Sequence, residues 1–207
     1  MLPKLLTHGG PVMWLLLLTS TVAIVVFIER ILHYHRAQIN STEFLIGVRN
    51  VLKRDNVVEA ISICEATPGP VARLVKSAIL SRDRGREAVR ESLEETGLME
   101  VPRLEEKLNL LATIAQIAPL MGLLGTALGF IRVFSVIESE GQYATAGLLA
   151  GGVWEALICT AAGLAVAIFA YAAYNYLVSR VNAIVLDMEK ASTEILNLVT
   201  EGNGRNG

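Results

Sequence analysis

Among the polar side chains within the long apolar runs of this chain, Gln116, Thr126, Glu155 and Thr160 are the functional candidates. At hydrocarbon depth such groups are costly, and they usually face a protein interior or a water-filled path, which makes them candidates for handling ions or protons. A glutamate there can hold a charge, and a threonine hydroxyl can order water or hydrogen-bond a carboxylate as it gains and loses a proton. Each also has a simpler reading. Threonine can bond the carbonyl one turn back in its own helix, and Glu155 lies near the end of its run, within reach of headgroups. No nucleophile–base–orienter set, nucleotide-binding glycine loop or metal-ligand cluster accompanies them. The sequence therefore predicts no catalytic residues, no metal and no other cofactor, and an energy source other than bound nucleotide.

The elements that must position these groups carry small residues at helical spacing. Ala115, Ala118, Gly122, Gly125 and Gly129 recur with gaps of three and four, as do Ala156, Thr160, Gly163, Ala167 and Ala170. Such seams let helix backbones approach closely, within one subunit, between subunits, or both.

The apolar content of 53% and mean hydropathy of +0.49 over 207 residues are high for a soluble chain. Pro11–Ile28 is uncharged, and its roughly eighteen residues nearly cross a hydrocarbon core of about 30 Å. A cleaved signal peptide is the rival reading, but only Lys4 precedes the run and no small-x-small site follows it. Trp14 and the Glu29–Arg30 pair suit the two interfaces. Leu108–Ile131 has no charge and Ala144–Val178 has only Glu155; both can span, and the third helix is expected to continue beyond the membrane. Most Lys and Arg lie between the first and second runs, whereas 136–143 holds Glu138 and Glu140 and no basic residue, so the N-terminus is expected outside. Arg132, at the end of the second helix, is expected to snorkel or pair with Glu138.

The polar region reads as amphipathic helices. Phe44, Leu45, Val48, Val51 and Leu52 form one face, and Val57, Ile61 and Cys64 another, interrupted by Pro68-Gly69-Pro70. Val71, Leu74, Val75 and Ala78 follow, and then a helix from Arg86 through Leu93. Arg86, Glu87, Arg90, Glu91, Glu94 and Glu95 read as solvated faces with i,i+4 pairing. Cys64 and Cys159 read as free thiols and His8, His33 and His35 as interfacial groups. No basic, aromatic-interleaved groove suggests nucleic acid. The expected class is all-α: an integral membrane protein with three transmembrane helices, a cytoplasmic helical bundle, and long second and third helices extending into the cytoplasm. Expected bounds are a periplasmic N-terminus at 1–10, spans at 11–28, 108–135 and 146–178, a cytoplasmic region at 29–107, a periplasmic loop at 136–145, and a cytoplasmic C-terminal helix and disordered tail at 179–207.

Residues 111–130, LATIAQIAPLMGLLGTALGF, resemble the second-helix signature of the ExbB/TolQ branch of the ExbB/TolQ/MotA ion-driven motor family, Ala-Pro followed by Gly-Leu-x-Gly-Thr. Residues 155–175, EALICTAAGLAVAIFAYAAYN, resemble its third-helix signature, and 27–30 (FIER) and 64–79 (CEATPGPVARLVKSAI) are also similar. The resemblance implies a homopentameric ring in the bacterial inner membrane around a pair of helices from an ExbD- or TolR-like single-span partner, whose intramembrane aspartate carries the proton. A TonB- or TolA-like protein would take the output. By position Thr126 and Thr160 match pore-lining threonines, Glu155 a third-helix glutamate and Pro119 the second-helix proline, with Ala118, Gly122, Gly125, Gly129 and Gly163 shaping the packing around them. Ile117, Gln116 and Cys159 depart from the pattern and leave the choice between proton and sodium open. The first expectation is ExbB-like service to TonB-dependent outer-membrane transport. The alternatives are TolQ-like envelope maintenance, a gliding motor, and, in a different class, a non-conducting membrane scaffold.

Overall fold

The computed structural model describes residues 10–37, 40–141 and 145–203 and contains helices without a strand among them. Lys4 and His8, the middle of the expected loop at 142–144 and the last residues of the tail lie outside the described residues. The chain divides into two compact units: one comprises residues through Glu29 with Lys107–Leu177, the other Arg30–Glu106 with the chain from Val178 onward.

The first unit is built on α1 (Gly10–Ala37) as far as Glu29, on α6 (Leu108–Glu140) and on α7 (Ala146–Asn203) as far as Leu177. All three are long and apolar enough to cross a membrane, where a helix satisfies its backbone polar groups within one segment. Large side chains such as Leu18, Val25, Leu120, Ile131 and Ile168 are exposed on them, as lipid-facing surfaces require. Where the helices touch, Val12 and Leu16 of α1 pack with Ala118 and Ala167, and Phe27 meets Phe169 edge-on at 5.8 Å. At 58 residues α7 is about 87 Å long, far beyond the hydrocarbon thickness. The second long helix behaves differently. Glu106 is extended and Lys107 left-handed (φ 65°), so α6 starts at Leu108 as a helix separate from the polar one before it. Lys107 is held there by an ion pair to Glu29.

The second unit adds α2 (Ser41–Leu52), α3 (Val57–Ala66), α4 (Pro70–Leu80) and α5 (Arg86–Glu105). Asn40 and Asn56 cap α2 and α3 by accepting from the backbone N–H of Glu43 and Glu59. The Pro68-Gly69-Pro70 break has a steric cause: Gly69 (φ 116°) lies so close to Ala37 that a Cβ would come 2.7 Å from its carbonyl oxygen, and Pro70 then opens α4. Val48, Ala60, Val75, Ala78, Ile79 and Val89 are fully enclosed. Several charges pair on the surface, Arg90 with Glu94 among them. Glu100 instead is buried, 3% exposed, between the guanidiniums of Arg73 and Arg103.

Cys64 and Cys159 are buried and are not joined in a disulfide. Burial pushes the Cys64 thiol up from its ordinary 9.0 to about 11, with Lys76 opposing weakly. The fold thus favours the protonated thiol, and this contribution to stability is complete below pH 9 and is lost as pH rises from 9 to 11. In a Cys159→Ala background, iodoacetamide at pH 8 should label native Cys64 about tenfold more slowly, or slower still, than the unfolded chain. Equal rates would mean that Cys64 is accessible in the native protein.

Candidate functional site

Within the membrane-type unit, the glycines of α6 are spaced so that backbone, not side chain, meets α7. A Cβ on Gly122 would lie 3.0 Å from the carbonyl oxygen of Cys159, and one on Gly129 would lie 2.8 Å from that of Gly152. From the other side, a Cβ on Gly163 would lie 2.6 Å from the carbonyl oxygen of Ala118. Gly125 is covered by the Cys159 side chain, with Val12 of α1 beyond. Both small-residue seams therefore face each other inside one chain. Gly152, one turn before Ala156, extends the third-helix seam, and its spacing was available to find it.

This close approach sets Thr126 of α6 against Thr160 of α7. Their hydroxyls hydrogen-bond each other, and both lie near the same two carbonyls: Gly122 at 3.2 and 3.5 Å, and Ala156 at 3.3 Å from each. Gly122 is one turn before Thr126 and Ala156 one turn before Thr160, so the own-helix bond and the cross-helix bond coexist. Two protons are shared among two hydroxyls and two carbonyls, and either hydroxyl can donate to the other. Such a pair can reverse its direction of donation without moving a heavy atom.

Pro119 is accommodated within α6, where its missing N–H leaves the carbonyl one turn back without its usual partner. Its neighbour Ala118 is buried under Gly163. Gln116 is exposed and stands about 15 Å along the helix axis from Thr126, so the fold does not bring it to the threonine pair.

Glu155 is largely enclosed, with a side chain 13% exposed, and is ion-paired to Arg132 of α6. The expected Glu138 partner is wrong for a geometric reason. Positions six apart lie on different faces of a helix, whereas three and four apart are neighbours; Glu155 comes to Arg132 from the facing helix instead.

Residues 66–190 match the MotA/TolQ/ExbB proton channel family, covering α4 through α6 and much of α7. Among curated proteins, the ExbB-like 1 protein of Synechocystis sp. is 38% identical over 86% of this chain and 72% of its own length. The biopolymer transport protein ExbB of Neisseria gonorrhoeae is 29% identical over 87% of each. The Tol-Pal system protein TolQ of Haemophilus influenzae is 46% identical, over 42% of this chain and 38% of its own length. With three membrane-type helices, a glycine-seamed helix pair and a match across more than half of its residues, this multi-pass membrane chain belongs to the MotA/TolQ/ExbB proton channel family.

Proposed function

We propose that the chain is the ring-forming stator subunit of a proton-driven motor in the bacterial inner membrane. Copies of it, about five on the family resemblance, would enclose helices of an ExbD- or TolR-like partner and pass protons along the partner's membrane carboxylate. Thr126 and Thr160 would line that path, with Glu155 at its rim and Ala118, Pro119, Gly122, Gly125, Gly129 and Gly163 setting its width. The output would reach a TonB- or TolA-like protein, with TonB-dependent uptake as the first reading and envelope maintenance as the second. The observation that supports the proposal is the threonine pair within the close helix contact: two hydroxyls in an apolar surround have the chemistry to exchange hydrogen bonds with a carboxylate as it changes charge.

The test is co-expression with a single-span partner bearing one intramembrane aspartate, followed by reconstitution in liposomes. The complex should contain several copies of this chain by native mass spectrometry and should carry a proton current under an imposed gradient that is lost when the partner aspartate becomes asparagine. A ring without proton flux would favour a non-conducting scaffold, and a monomer as sole species would reject the ring.

A further inference from the structure

The Arg132–Glu155 ion pair of the first unit joins opposite charges across two membrane-type helices. The third helix takes part as well. Gly10, the first residue of α1, lies so close that a Cβ there would overlap a Glu155 carboxyl oxygen and sit 3.9 Å from the Arg132 guanidinium. The carboxylate thus has Arg132 on one oxygen and Gly10 of α1 against the other. Arg132 is the more exposed partner, at 58%, so the pair joins an enclosed carboxylate to a guanidinium that still reaches its surroundings.

We infer that Arg132 is a positioning residue that holds Glu155 as a fixed counter-charge, tying the ends of α1, α6 and α7 together, and that Glu155 does not itself carry protons. The physical argument is asymmetry. Removing Arg132 leaves the enclosed Glu155 carboxylate uncompensated, whereas removing both members leaves nothing unpaired. A proton-carrying carboxylate would behave otherwise, since its loss could not be repaired by also removing an arginine.

This inference rests on the stator reading only for its flux measurement, and a second readout is independent of it. In the complete complex, Arg132→Gln and Glu155→Gln should each lower proton flux about tenfold and lower the thermal midpoint of the chain in detergent, while Arg132→Lys stays near wild type. The double variant Arg132→Gln/Glu155→Gln should recover flux to within about threefold of wild type and be more stable than either single variant. A double variant no more conductive than Glu155→Gln overturns the inference and makes Glu155 a proton carrier. Additive stability changes also overturn it, even if wild-type complexes carry no current, a result that would count against the stator reading alone. A double variant that assembles no better than the singles overturns it as well.

Discussion

Gly163→Leu is expected to prevent the helix pair from closing. A Cβ at this position would lie 2.6 Å from the Ala118 carbonyl oxygen and 2.9 Å from the Gly122 Cα. Both obstacles are backbone, and neither can turn aside as a long side chain would. Relief requires α6 and α7 to separate along the seam that places Thr126 beside Thr160. Overpacking ordinarily costs about 1–3 kcal/mol and more where nothing can yield, so a loss of ~3 kcal/mol or more is expected, enough to remove most folded protein. Gly122→Leu should act alike, since its Cβ would meet the Cys159 carbonyl at 3.0 Å and the Gly163 Cα at 3.3 Å. Gly151→Ala, on the same helix as Gly163 but with nothing within 4 Å of its Cβ, is the control. It should be neutral or stabilising by up to ~1 kcal/mol, as alanine is the better helix former. The measurement is thermal unfolding and size-exclusion behaviour in detergent. A Gly163→Leu protein as stable as the Gly151→Ala control would mean that the seam is looser than its geometry implies.

The second large effect is on transport, with folding spared. Thr126→Val and Thr160→Val keep side-chain shape and remove one hydroxyl each. The remaining hydroxyl still has a carbonyl one turn back, Gly122 for Thr126 at 3.2 Å or Ala156 for Thr160 at 3.3 Å, so no donor is stranded. One net hydrogen bond is worth about 1 kcal/mol, and the stability change should not exceed that. Flux is a different matter. If the pair exchanges hydrogen bonds with a carboxylate during each transfer, losing one bond in the rate-limiting arrangement lowers the rate by roughly tenfold. Thr126→Ser and Thr160→Ser keep the hydroxyl and should retain most activity. Valine rings with full proton flux and full downstream output would assign both threonines to packing.

Much of this protein is legible from one dimension. Three long apolar runs, the seams with gaps of three and four, and the Pro68-Gly69-Pro70 break are local patterns, because hydropathy, helical period and backbone restriction act over a few residues. Those patterns also isolate Thr126, Glu155 and Thr160 as polar groups in apolar surroundings. What a seam faces is another question. Period places Gly122, Gly125 and Gly129 on one stripe, but whether that stripe meets another copy or the same chain depends on how each helix is rotated. Only the folded chain sets them against Cys159, Gly163, Ala156 and Gly152. The same dependence on rotation gives Arg132 its partner in Glu155 in place of Glu138, and makes one hydrogen-bonded pair of two threonines 34 positions apart. Glu100 looks in sequence like any surface acid. It is buried because Arg73, from another helix, and Arg103 supply the charges that make its burial tolerable, and the pairing with Arg73, 27 positions away, leaves no periodic trace in the chain.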